Sequence, residues 1–255
     1  MFKRILLTLF LASAAFRADA TDYTDIWWNP GESGWGVNFA QNSNFIFATF
    51  FIYGPSNNAP TWVTGQLALG GDGNFTGALY ATTGPWYGAV PFDPAQVTIN
   101  QVGNASFHPI AADTGVLSYN VGAMQVSKNI QRQSLVSIPL AGDYMAGISL
   151  VESNCADPIN NGSGHGPVNL QVTQARGQTG IALNFPGIGS CTFTGVATQS
   201  GQLLAFPATY MCSSGFNTAA TVYELRATSL GVEGRWTAPN AGGCYEEGRF
   251  GGVRQ

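Results

Sequence analysis

Long stretches of this chain alternate apolar and polar residues, and Gly, Pro, Asn or Ser break the alternation roughly every eight to twelve residues. Successive side chains of a strand point to opposite faces, so a period of two builds half-buried strands. Val168 to Thr173 is one such run. Thr221 to Ala227 is another, with Tyr223 and Leu225 on one face and Glu224 and Arg226 on the other. No segment carries a convincing helical period. The pattern predicts an all-β chain with about eight strands in each half. In the first half they start near Trp35, Phe45, Thr61, Asn74, Gln96, Ala105, Gly115 and Met124. In the second they start near Tyr144, Val168, Gly180, Cys191, Gln202, Thr218, Gly231 and Cys244. Eight short antiparallel strands joined by tight turns close into an up-and-down barrel, which removes exposed edges. Two-sheet sandwiches are the alternative.

The uncharged stretch Ser134 to Gly142, with Pro139 inside it, separates an aromatic-rich domain (21–136) from a cysteine-bearing one (140–255). Each is about 115 residues, enough for its own core. Three short matches suggest a duplication: Asp22-Tyr23 with Asp143-Tyr144, Phe75-Thr76-Gly77 with Phe193-Thr194-Gly195, and Arg132-Gln133 with Arg254-Gln255. All four cysteines lie in the second half, and an even count in an exported chain reads as two disulfides. Cys191 and Cys212 flank a run centred on a Ser200-Gly201 turn and would face each other across a hairpin, which leaves Cys155 with Cys244.

Residues 1–20 read as a cleaved signal peptide: basic Lys3 and Arg4, apolar Ile5 to Phe16, and Ala18-Asp19-Ala20 as a small-x-small cleavage site. The apolar run is too short for a bilayer core of roughly 30 Å, so no membrane span is expected and the mature chain is periplasmic or extracellular. Removing this segment takes away Lys3, Arg4, Arg17 and Asp19. Seven basic residues then face thirteen acidic ones, a net charge of −6. That balance argues against nucleic acid, whose phosphates need clustered Lys and Arg. With 9% charged residues, the solvated surface must be built of Asn, Gln, Ser, Thr and Gly, groups that also hydrogen-bond sugars.

Residues 27–54 hold Trp27, Trp28, Pro30, the run Glu32 to Gly36 and an aromatic strand through Phe47 to Thr49 that ends at Tyr53; Trp62 follows on the next strand. This pattern resembles the N-terminal signature of a family of secreted proteobacterial domains to which no settled activity attaches. The resemblance covers residues 23 to 65 and implies export and the domain type, without choosing a chemistry. Within the block, both faces of Phe45 to Tyr53 are apolar, which predicts a central strand covered outside by the partner domain or an N-terminal flap. The sharper alternative is a face that lines a ligand cavity or an oligomer interface.

The tryptophans are the first candidate site. Trp28, Trp35, Trp62, Trp86 and Tyr87, with Glu32 among them, could form a platform or pocket, because rings offer wide flat surface at low rotamer cost. Adjacent strand residues face opposite ways, so only one of Trp27 and Trp28 can enter a given core. Gly84 to Gly88 reads as a loop, where Trp86 and Tyr87 are not readily explained by packing. Glu32, flanked by tryptophans, could have a raised pKa and, with Asp25, supply the carboxylate pair of a glycan hydrolase. His108 and His165 lie in different halves, the latter in what reads as an exposed loop. No Gly-x-Ser-x-Gly, His-x-His or CxxC motif accompanies them. The Gly70 to Asn74 and Asp157 to Gly162 loops lack EF-hand spacing and read as turns. No metal and no cofactor are expected. The preferred reading is an exported, non-catalytic binding protein for a glycan or a small apolar molecule held in a barrel mouth. The rivals are an envelope protein that docks a partner through the Phe45 to Tyr53 face, and the Glu32/Asp25 hydrolase.

Overall fold

The structure, a computed structural model, describes residues 21–54, 58–240 and 242–255; the expected signal segment lies outside the described residues. The chain forms two closed antiparallel barrels. The first is built from β1 (Asp25–Trp28), β2 (Gly36–Asn42), β3 (Phe45–Tyr53), β4 (Pro60–Leu69), β5 (Phe75–Thr83), β6 (Thr98–Pro109), β7 (Thr114–Val121) and β8 (Met124–Arg132). Each strand pairs with the next, and β1 pairs with β8 to close the wall.

The second barrel uses β9 (Gly142–Ser153), β10 (Gly162–Ala175), β11 (Gln178–Phe185), β12 (Gly189–Gly195), β13 (Thr198–Ser200), β14 (Leu203–Cys212), β15 (Asn217–Ala227), β16 (Gly231–Pro239) and β17 (Tyr245–Arg254). Both β12 and β13 pair with β14, so they are two pieces of one interrupted strand, and β17 pairs with β9 to close the ring. The architecture is the up-and-down barrel and not the sandwich.

The expected strand starts need three corrections in position. The short β1 is absent from them, because its four residues are too few to display a period. The expected strands at Gln96 and Ala105 are one strand, β6. Its Gly103 reads as a break but marks a bulge, where the β5 partner shifts between Leu79 and Tyr80. His165 sits in β10 opposite Ser149 and not in a loop.

Alternation places Trp27, Phe39, Phe50, Phe75, Phe107 and Leu117 in the first lumen, all at or near complete burial. Trp27 and Phe107 meet edge to face at 5.2 Å, and Phe39 lies 4.9 Å from Phe107. Trp236, Phe193, Phe206, Leu183 and Val222 fill the second lumen. The disulfides are Cys191–Cys212, directly opposite each other on β12 and β14, and Cys155–Cys244. Bonds of this kind suit an oxidising compartment.

Closure uses the same device twice. Arg132 at the end of β8 pairs with Trp27 and places its guanidinium 5.1 Å from the indole centroid; Arg254 at the end of β17 pairs with Tyr144, 4.9 Å from the ring. The following amide donates across the seam in each barrel, Gln133 to Ile26 and Gln255 to Asp143. The Arg-Gln match is therefore topologically equivalent. The other two matches are not. Trp27, and not Tyr23, is the counterpart of Tyr144. Phe75 opens the fifth strand of its barrel, whereas Phe193 lies on the fourth of the other.

The barrels are joined at a buried ion pair. Asp25 and Arg132 meet at 3.2 Å, both almost fully buried, and Arg132 also donates to the carbonyls of Ala112, Thr24 and Asp22. Burial lowers the Arg132 pKa, and the Asp25 carboxylate opposes that effect. The turn between β13 and β14 caps the pair: Gln202 N–H donates to Asp25 at 2.8 Å, and Gly201 N–H donates to Ser134 Oγ at 2.9 Å. A Cβ on Gly201 would stand 2.2 Å from the Asp25 carboxylate, and its φ of 61° is left-handed. The segment before β1 also crosses over, Thr21 donating to Glu224 and Asp22 pairing with Arg226.

Gly201→Ala is expected to lower stability by more than about 1 kcal/mol through the contact and the positive φ. Equilibrium urea unfolding should show the loss in the first barrel's tryptophan fluorescence as well, because the turn covers its ion pair. Removing Cys155–Cys244, a separation of 89 residues, should cost about 4–5 kcal/mol by chain entropy, against about 3 for Cys191–Cys212 at 21. Double Cys→Ser variants compared by denaturant midpoint would reveal a reversed order.

Candidate functional site

Antiparallel alternation brings the ends of β1, β3 and β5 to one rim of the first barrel, together with the 29–35 and 84–97 loops that follow β1 and β5. The outward residues near this rim are aromatic. Trp27 faces the core, so Trp28 faces out. The β1–β2 register pairs Trp27 with Val37, which sets Trp28 beside Gly36. Gly36 pairs with Phe51, and Phe51 pairs with Trp62. Trp28, Phe51 and Trp62 therefore form a row across four adjacent strands, three inter-strand steps or about 14 Å long.

Gly36 makes room for the rings of the row. The Phe51 ring leans over it, and a Cβ there would meet Phe51 Cζ at 2.6 Å. Tyr53 leans in the same way over Gly34. The glycines of the Glu32 to Gly36 run thus have a packing reason. Trp62 is 60% exposed and Phe51 42%, so the row is accessible along most of its length. Trp28 is half-buried, and its Nε1–H is buried with no acceptor among the described residues. Buried donors are normally paired, so this one stands out.

Below the row, the outer face of β3 exposes Phe45 and Phe47, each 41%. Among the described residues nothing covers this strand: the second barrel docks at the end of the first through Gly201, and not on its wall. Trp86 and Tyr87 project from the 84–97 loop at 68% and 89% exposure, their rings 5.5 Å apart. Val90 and Phe92 in the same loop are also exposed.

Trp35 and Glu32 belong to a different arrangement. Trp35 packs against the edge of the core and donates its Nε1–H to Glu32 at 3.0 Å. Lys128 lies on the inward alternation of β8, opposite Leu117, and reaches the other Glu32 oxygen at 2.8 Å. It is the one lysine of the chain beyond residue 3. The pair closes the lumen's rim beside Tyr119, whose pKa is raised by burial and then by the Glu32 charge. The Lys128 hydrogen bond holds the Glu32 carboxyl below the usual range, the reverse of the raised value a proton donor needs.

Asp25 is at the other end of β1, committed to Arg132 and Gln202, so the two carboxylates share no partner. The carboxyl that burial does raise is Glu246 in the second barrel, which accepts from Trp236 Nε1 inside a packed core. Its position in an alternating strand gave no sign of this. No cluster of metal-ligand type forms among the described residues.

Charge is distributed in a way the composition does not reveal. The strands of the first barrel carry Asp25, Lys128 and Arg132, and all three lie on inward positions. Its outward strand positions hold no Asp, Glu, Lys or Arg. They are mostly aromatic on β3, joined by Trp62 of β4, and Ser, Thr, Asn or Gln on most of β5 to β8. An apolar lumen under a largely polar wall is the reverse of a lipid-facing barrel. Among the described residues, no helix is long and apolar enough to cross a membrane. Side chains pack the first lumen. No family model, curated protein or solved structure matches this chain.

Because the Glu32 pKa is depressed, the contribution of its contacts is complete above the ordinary glutamate range and is lost as pH falls through the lowered value. Trp35 emission should stay constant from neutral pH down to that range and change only below it. Glu32→Gln should abolish the acid transition; an unchanged transition would place it elsewhere.

Proposed function

We propose that this is an exported, non-catalytic glycan-binding protein that uses the outer aromatic wall of its first barrel. The observation that carries the reading is the row Trp28–Phe51–Trp62, aligned by strand register on the barrel wall with Phe51 and Trp62 open to solvent. Sugar rings present apolar C–H faces and hydroxyl edges, and a row of aromatic rings beside an uncharged polar wall offers a counterpart to each. Trp86 and Tyr87 stand on the same rim, at the side of the row where Trp62 ends it.

Export rests on the N-terminal pattern of residues 1–20, on the resemblance of residues 23 to 65 to secreted domains, and on disulfides suited to an oxidising compartment. Hydrolysis by Glu32 and Asp25 is the weaker reading, since each carboxylate is neutralised by its own cation. A partner chain docked on the same rim is a second reading, favoured by exposed Val90 and Phe92.

Affinity electrophoresis of residues 21–255 through gels containing soluble neutral polysaccharides tests the proposal. Retardation is expected, and Trp62→Ala should weaken it about tenfold, or about 1.4 kcal/mol. Retardation by none of the polymers would sink the glycan reading. Equal retardation of Trp62→Ala would remove the row from it.

A further inference from the structure

The aromatic row occupies one side of the first barrel. The opposite side, β5 to β8, carries a shallow, open depression of about 760 Å³ on its outer face. Register partners there form two parallel rows of uniform chemistry. Thr76 pairs with Ser106, Ser106 with Ser118, and Ser118 with Ser127, giving four hydroxyls on four consecutive strands. One step along, Asn104 accompanies Asn120, and Asn120 pairs with Gln125, giving three amides. Neighbours within each row are about 4.8 Å apart, the inter-strand spacing. Ser118 and Ser127 hold each other at 2.9 Å, and Asn120 Oδ1 accepts from the Asn104 backbone, so part of the lining is fixed in advance.

The rows do not stop at β5. Thr76 pairs with Ala68 and Ala68 with Phe45; Ala78, which pairs with Asn104, pairs on its other side with Gln66, and Gln66 with Phe47. Small or uncharged residues thus lead from the hydroxyl and amide rows to two exposed rings on β3. The whole path crosses six strands, about 24 Å, without a charged side chain.

We propose that this path is a second binding site, for an uncharged polyhydroxy chain lying across the strands. The chain's hydroxyls meet the hydroxyl and amide rows, and a sugar face stacks on Phe45 or Phe47. The uncharged lining selects the occupant: an anionic polymer finds no cation to offset its desolvation, and an apolar one covers polar side chains without replacing the water they bind. The inference rests on the glycan reading and extends it from one wall of the barrel to two.

Thr76→Arg and Gln125→Arg each place a long charge on an exposed position of the path, away from the Trp62 row. Both variants and Trp62→Ala would be run by affinity electrophoresis against laminarin, dextran, xylan and hydroxyethylcellulose, with alginate as the anionic control. Unchanged thermal midpoints would establish that the variants fold; a variant that does not fold is replaced by Ser127→Arg. The expected result is at least a tenfold loss of affinity for a neutral polymer in each Arg variant. Wild-type retardation should be the same at low salt and at 0.5 M NaCl, and alginate should cause none. Arg variants that bind like wild type, while Trp62→Ala does not, would overturn the second site and leave the first reading standing. Absence of retardation in the wild type would overturn both. A dimer in light scattering that Thr76→Arg turns into a monomer, with polysaccharide retardation unchanged, would make the path a self-association face and end the inference.

Discussion

The buried Asp25–Arg132 pair is the contact on which the rest of the structure depends. Arg132 ends β8 and Asp25 begins β1, so their bridge is also the seam that closes the first wall. Two charges taken out of water are costly unless every remaining lone pair and proton finds a partner. Here the carbonyls of Ala112, Thr24 and Asp22 take the spare guanidinium protons, and the Gln202 amide takes a carboxylate oxygen. That last partner belongs to the other barrel. The first barrel's seam is therefore completed only when the second has folded and docked, and Gly201 is the residue small enough to reach it.

The barrels divide their surfaces accordingly. The second is cross-linked by disulfides and carries ionic contacts on its wall, such as Arg235 with Glu224 and Glu247. The first turns the three charges of its strands inward or to its ends and leaves the outward positions of its strands uncharged. The N-terminal segment, tied to Glu224 and Arg226, and the Gly201 turn hold the two together at the end away from the aromatic rim. The exposed rings are thus left clear of the junction, on a scaffold whose core supplies rigidity.

Much of the fold was legible in the sequence because strand alternation and turn residues are local signals. Cys191 and Cys212 could be paired because the Ser200-Gly201 turn sits midway between them. What could not be read depends on register. Trp28, Phe51 and Trp62 are far apart in the chain and become a row only through pairings across four strands. The hydroxyl row from Thr76 to Ser127 is hidden for the same reason, each member being one of many Ser and Thr residues. Glu32 reads in the sequence as an acid among tryptophans, but its partner Lys128 lies on the last strand of the barrel, where no local pattern connects them. The cover expected over Phe45 to Tyr53 failed because apolar content on both faces of a strand does not say whether the second face is covered or offered.

Closure has a further consequence for the two paths on the first barrel. Strands in a closed barrel tilt against its axis, so a line of register partners climbs as it goes round and does not return to its starting residue. The aromatic row and the hydroxyl row are therefore segments of spirals at different heights and not rungs at one level. A polymer that follows either line must bend with the wall and rise along it. The barrel is in effect a spool with a fixed pitch, on which a chain able to coil stays in contact and a straight, stiff one lifts away after a few units.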